Sequence, residues 1–478
     1  MKRLFLGITL LSAAFLASAQ NLDSLQKKAK VLQDEKIEQY RRSSLYQILV
    51  QHPDADYAPT IDSVFLMVGT PDKFNNHDLE TKAITSTAKK AKKVKENIRG
   101  TEKDPNLIDV NEFINSHAVA RDMVAKWFGR DPVTGNFNID LIVERGYYDA
   151  SFDAIERADA EGRGRAMLAD AGFELIGKTF LTANDITFID HGENSGKAAG
   201  GIKQGFAIAG RLASAITGED SFTELGDAAG TTIGTIANEF AGYKVNIITY
   251  LYRLNWNEDI ENTFYSEYWI DENTGPEERE RRKAAFENTD LFSLSYVGHT
   301  VTSAENLSSK TFSRKPLQEQ FLKVCTRAID KAIVELQREY DEFKVNVPIY
   351  AVNDDGTVEV KIGLKEGVNE NSRYEVLMPD MSSGVTRYKK VGMLKPVPGK
   401  IWDNRFGALE EAEMLKADRA EAEASGSEEE LAAVEAAENA DGEGDAYLTS
   451  TTFSIISGAN AITTGLLIRE VTIKAENN

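Results

Sequence analysis

Cysteine is almost missing from this chain. Cys325 stands alone among 478 residues, so no disulfide can close within it. A chain of several hundred residues buries enough apolar surface to do without one. Cys325 falls in LKVCTRAI, a helical pattern, where a buried inert thiol is the expected state rather than a reactive nucleophile. Histidine is scarce as well: His52, His77, His117, His191 and His299 are scattered, and no pair has the close helical spacing of a zinc site. Basic residues are in deficit, 55 against 76 acidic, for a formal charge of −21. That balance argues against nucleic acid as a partner, because duplex binding relies on Lys and Arg neutralising phosphates. After the first twenty residues no uninterrupted apolar run approaches the roughly 20 residues that a spanning helix needs, so membrane contact is expected to be at most peripheral.

A phosphate loop is also lacking. The stretch IDHGENSGKAAGG, from Ile189 to Gly201, puts three residues rather than four between Gly192 and the Gly196-Lys197 pair. Ala198 stands where the motif needs a hydroxyl for Mg²⁺. No other segment carries a stronger catalytic signal, so the sequence assigns no catalytic, cofactor-binding or metal residue and implies no cofactor.

What is present begins with MKRLFLGITLLSAAFLASAQ. Lys2 and Arg3 precede an apolar run, and Ala17-Ser18-Ala19 forms a small-residue cleavage pattern. Residues 1–19 are therefore expected to be a signal peptide removed before Gln20, with the mature protein in the periplasm or associated with the outer membrane. Loss of Lys2 and Arg3 takes the charge from −21 to −23. No Cys follows the cleavage site to carry a lipid anchor.

The pattern predicts an α+β chain. Residues 20–57 read as an N-terminal helical segment, with Leu25, Val31, Leu32, Ile37, Leu45, Ile48 and Leu49 at roughly helical intervals. Residues 58–344 read as a mixed α/β body that opens with IDSVFLMV as a strand. Its further strands are KTFLTANDITFID, YKVNIITYLYRLNW and LFSLSYVGHTVTS. The helix VNEFINSHAVARDMVAKWFG, the surface helix PEERERRKAAFENTD and the long amphipathic helix PLQEQFLKVCTRAIDKAIVELQREYDEF complete it. A basic stretch between Lys82 and Arg99 reads as solvated surface. Phe264, Tyr265, Tyr268 and Trp269 form an aromatic patch expected in a core or an interface.

Within the body a Gly/Ala-rich tract reads as a helical hairpin. Ile202, Phe206, Ala209, Ala213 and Ile216 make one face, Ser221 and Glu224 form a capping box, and Gly226, Gly230 and Gly234 allow close approach. Residues 345–474 alternate as short strands, with Asp355-Gly356 in a tight turn, and are expected to close as a small β-barrel module. An acidic insertion at 407–446 interrupts that module. From Leu409 to Ala446 it holds 14 acidic residues against Lys416 and Arg419, a net −12. Such a segment is expected to be mobile and partly helical.

The run GLKEGVNENSRYEVL, KVGMLKPV and ISGANAITTGLLIRE resembles the β module at the end of flagellar assembly protein T. The region Ala118 to Tyr252, with ERGYYDA and TFLTANDITF, is similar to the α/β domain of the curli secretion channel family. PDKFNNHDL and YRLNWN resemble segments of uncharacterised exported proteins of the Bacteroidota. These resemblances imply a non-catalytic cell-envelope protein, a scaffold or docking component with protein partners, a homo-oligomer among them. Two alternatives stand beside it. One is an exported hydrolase or glycan-binding protein using Asp185, Asp190 and Glu193, since paired carboxylates can do acid and base work. The other is a membrane-inserting, secretion-channel-like subunit built on the Gly/Ala hairpin.

Overall fold

The computed structural model describes residues 43–54, 58–71, 73–76, 83–86, 97–142, 175–190, 243–305, 315–380, 387–428, 430–432, 434–435 and 444–471. The chain is α+β, built on two main sheets. The first contains β1 (Ser43–Gln51), β2 (Phe74–Asn76), β3 (Ala83–Thr85), β4 (Thr179–Asp190), β5 (Tyr243–Leu254) and β6 (Leu294–Glu305). Its order is β2-β1-β4-β5-β6, with β3 also on β1. β1 runs parallel to β2, β3 and β4, whereas β4, β5 and β6 form antiparallel pairs.

Helices cover both faces of this sheet. On one face Leu45 and Leu49 of β1 pack with α1 (Ala58–Met67) and with Phe321, Val324, Ala328 and Ile329 of α6 (Leu317–Glu339). On the other, Tyr46, Ile48 and Val50 meet α2 (Pro105–Ser116) and α3 (Val119–Trp127). A strand covered on both sides loses its polar alternation, and β1 is apolar or buried along nearly its whole length. The helical spacing expected to run to Leu49 is therefore wrong over Ser43–Gln51, which form a strand covered on both faces. IDSVFLMV is the converse correction. It lies in α1, where Ile61, Val64 and Phe65 are buried at helical spacing.

Other predicted elements form where expected. The strand segments ahead of Asp190, Leu254 and Glu305 become β4, β5 and β6, and the charged helix becomes α5 (Pro276–Glu287), which follows the short α4 (Glu258–Thr263). The segment expected as one helix from Val110 divides into α2 and α3 at Ala118, whose φ of 48° is left-handed. In α6 the buried set Phe321, Val324, Cys325, Ala328, Ile329, Ala332 and Leu336 makes a single stripe. Cys325 is 1% exposed, and burial pushes its thiol up to about 12.

The second sheet follows α6. It contains β7 (Val347–Pro348), β8 (Ala351–Val352), β9 (Thr357–Val360), β10 (Tyr374–Asp380), β11 (Arg387–Pro396), β14 (Thr451–Ser457) and β15 (Leu467–Glu470), antiparallel throughout in the order β7-β15-β10-β11-β14-β9-β8. It curls as a half-barrel around Val358, Val360, Tyr374, Val376, Leu394, Phe453 and Ile468. The closed barrel expected from the sequence is not formed. Both edge strands come from one stretch, 347–352, and each is only two residues long, so neither edge can pair with the other. The predicted turn is present: Gly356 has φ of 80°, and the Asp355 carboxylate accepts from the Thr357 amide and hydroxyl.

The acidic insertion is not simply mobile. Ala408–Ser425 form α7, between the short paired strands β12 (Ile401–Trp402) and β13 (Gly444–Asp445). Ala408, Glu411, Leu415, Asp418 and Ala422 line its buried side. Glu411, 4% exposed, lies 2.7 Å from both the Lys323 ammonium and the Arg327 guanidinium of α6. A helix short of large apolar residues thus docks through a buried ion triad. The signal peptide, the Gly/Ala-rich hairpin, the near-miss phosphate loop and most of the basic stretch from Lys82 to Arg99 lie outside the described residues.

Candidate functional site

Parallel pairing of β1 with β3 and β4 brings distant polar residues together at the carboxyl end of β1. His52 follows β1, Ser86 follows β3, and Asp185 in β4 stands opposite Val50. The N-terminus of α2 meets them there because Pro105 fixes its first turn and Asp104 caps it. The His52 Nε2 lies 3.0 Å from the Asp185 carboxylate, which also accepts from the Asn106 amide at 2.6 Å. Asp104 accepts from the Gly100 and Asn106 backbone amides and from the Tyr250 hydroxyl at 2.8 Å. His52, Ser86, Asp104, Asn106 and Asp185 are all buried. Burial, and then the Asp104 carboxylate, push the Tyr250 phenol far above its usual range and keep it a proton donor.

The cluster extends to β6. Across the sheet from Tyr250 stands His299, whose Nδ1 is 3.0 Å from the Tyr296 hydroxyl. Burial and the nearby Arg99 charge pull its imidazole below its ordinary value. Gly100, at φ 69°, lies directly against this ring, where a side chain would collide. The Tyr340 hydroxyl bonds both the backbone N–H and the carbonyl of His299, covering that part of the β6 edge.

Several of these groups are of the kinds that catalytic sites use. The Ser86 hydroxyl lies 2.9 Å from the Asp109 carboxylate and 3.2 Å from the Asn106 side-chain oxygen. Asp185, proposed from sequence as an acid–base group, is tied to two buried donors. Asp190 ends the same strand five residues on, about 17 Å along it by strand rise. The two carboxylates of a glycosidase stand within about 10 Å of each other. Glu193 lies outside the described residues. Among the described residues no cluster of three or more His, Cys, Asp or Glu side chains is arranged to hold a metal ion, and no helix is long and apolar enough to cross a membrane.

The aromatic patch is core. Phe264 is fully buried and stacks on Phe128 at 4.6 Å, and Trp269 stacks on Phe137 at 5.3 Å. With Phe286, Phe292 and Trp256 these rings close the end of the body beyond β5.

A second group of polar contacts joins the two sheets. Arg338 of α6 donates to the Gly367 carbonyl at 2.8 Å and pairs with Glu470 of β15 at 3.0 Å. Lys73, ahead of β2, lies 3.5 Å from Glu366. Gly367, at φ 73°, sits so close to Val334 and Arg338 that a side chain there would clash with both. Sequence reading missed these contacts, because the partners lie far apart in the chain and no local pattern links them. No protein-family model matches this chain, and no curated protein is similar to it in sequence.

Proposed function

We propose that this is a non-catalytic protein exported to the cell envelope, cleaved before Gln20, which acts as a scaffold or docking component of a periplasmic or outer-membrane assembly. The observation that carries the reading is the use of α6 by both sheets. Its apolar stripe completes the core of the body, while Lys323, Arg327 and Arg338 on its charged surface bind the half-barrel module and its inserted helix. Fixing two units at one relative position is what a scaffold requires. The buried cluster around Asp185 also fits this reading, since the Asp185 carboxylate holds β4 to His52 after β1 and to Asn106 of α2. The hydrolase reading rests on Asp185, whose carboxylate is held by His52 and Asn106, and the membrane-inserting reading rests on the Gly/Ala tract.

Expression of the full chain in a Gram-negative host, followed by fractionation and N-terminal sequencing, tests the proposal. The expected product begins at Gln20, is recovered with the periplasm or outer membrane, and cross-links to envelope proteins only while the half-barrel module is present. Recovery from the cytoplasm with Met1 intact would overturn it. So would a hydrolytic activity that Asp185→Asn abolishes without changing the fold.

A further inference from the structure

The cations at the junction of α6 with the second sheet have carboxylate partners: Lys323 and Arg327 share Glu411, and Arg338 holds Glu470. Strand β11 gathers exposed cations without such partners. Arg387, Lys389, Lys390 and Lys395 are all exposed on it. Among the described residues Lys389, Lys390 and Lys395 make no ion pair. Lys389 stands opposite Met378, which is itself 40% exposed. A concentrated positive strand left unpaired in a chain of charge −21 is a surface that lacks its complement.

The same chain supplies that complement elsewhere. The buried side of α7 faces α6, which leaves its outer side to solvent. Glu423 of α7, and Glu428 and Glu435 after it, are exposed and make no ion pair among the described residues. They belong to the tract that carries a net −12. Within one molecule α7 is held on α6 by Glu411, while β11 is locked between β10 and β14.

We propose that β11 of one copy docks on the acidic face marked by Glu423, Glu428 and Glu435 of a second copy. The two surfaces differ, so the contact is head to tail, and repetition gives a ring or a filament. A second copy is favoured over an anionic lipid surface, because a molecule of charge −21 is repelled as a whole by such a surface, whereas the acidic tract places its charge on one element. The inference extends the scaffold reading but rests on surface charge alone, so a cytoplasmic location would sink that reading and leave this one standing.

Sedimentation velocity on the purified mature chain tests it, at about 50 mM and about 500 mM NaCl, where the screening length falls from roughly 14 Å to roughly 4 Å. The expected result is concentration-dependent association at low salt that is lost at high salt. Lys389→Glu with Lys390→Glu, and separately Glu423→Lys with Glu428→Lys, should each be monomeric at both salts with unchanged circular dichroism. Mixing the two double variants should restore association, because the first keeps a native acidic face for the native β11 of the second, and their two reversed surfaces are again opposite in charge. A wild type that stays monomeric at low salt would overturn the proposal, as would charge-reversed variants that associate like wild type. Flotation of a monomeric wild type with phosphatidylglycerol vesicles, lost in the lysine variant, would assign β11 to lipid instead.

Discussion

His299 lies where β6, the loop at Gly100 and the chain after α6 converge, so its ionisation is set by several elements. Arg99 opposes a positive imidazole, Asp104 and Glu339 favour it, and the Tyr250, Tyr296 and Tyr340 phenols remain neutral. With burial the largest cause, the folded value is below the ordinary 6.5. The sign follows from linkage: the unfolded chain binds the proton more readily, so the contribution is complete above 6.5 and is lost as pH falls through the folded value. Melting temperatures of wild type and His299→Gln from about pH 8 to about pH 5 check this. The advantage of wild type should shrink below 6.5; an advantage constant across the range would show that the ring does not titrate on unfolding.

Among the elements, α7 shows how a helix with little apolar surface is held. Glu411 lies between two cations that are themselves largely buried. Removing one member of a buried ion pair typically costs about 3–5 kcal/mol, because the remaining charge is stranded. Glu411→Ala, with α7 still covering Lys323 and Arg327, should therefore lower stability by about that amount. Replacing Glu410 to Asp445 by a short Gly/Ser linker should cost less, since Lys323 and Arg327 then regain water and the half-barrel core contains no residue of α7. Denaturant melts of the two variants check the ranking, and the reverse order would show that apolar packing of Leu415 and Ala422 governs the docking.

The same elements show what could be read in the sequence. β5 and α6 were legible because their patterns run long enough to select one period. β1 was not. With both faces buried, Leu45, Tyr46, Ile48, Leu49 and Val50 offer no alternation, and three of them happen to fit a helix. In α1 the helical set Ile61, Val64 and Phe65 was hidden because Val64 to Val68 is a short unbroken apolar run, which has no period of its own. The polar cluster was less legible still. His52, Ser86, Asp104, Asn106, Asp185 and Tyr250 are joined by sheet order, which no local spacing reports, and only Asp185 had been singled out. The basic strand β11 was visible as RYKKVGMLKPV, but nothing in the sequence marked its lysines as unpaired.

For the whole molecule, the junction at the end of α6 decides whether the sheets unfold together. Arg338 and Lys73 are the cations that tie Glu470 and Glu366 of the half-barrel module to the body. Scanning calorimetry of wild type should show one cooperative transition, and Arg338→Ala combined with Lys73→Ala should divide it into two. A single unshifted transition in the double variant would place the coupling in α7 instead.

The stretch 347–352 furnishes both edges of the half-barrel, with its backbone bonded to the β15 region on one side and to β9 on the other. One of those neighbours follows within a few residues; the other is made more than a hundred residues later. The module is therefore a high-contact-order unit whose first segment waits for its last strand, and long-range pairing of this kind is slow. Any chain emerging in order, from ribosome or translocon, would present β9 hairpinned on β8 and β10 hairpinned on β11, while β7 and the other edge of β10 stay unpaired. Only when Leu467–Glu470 arrives does the sheet gain the strand that lies between them.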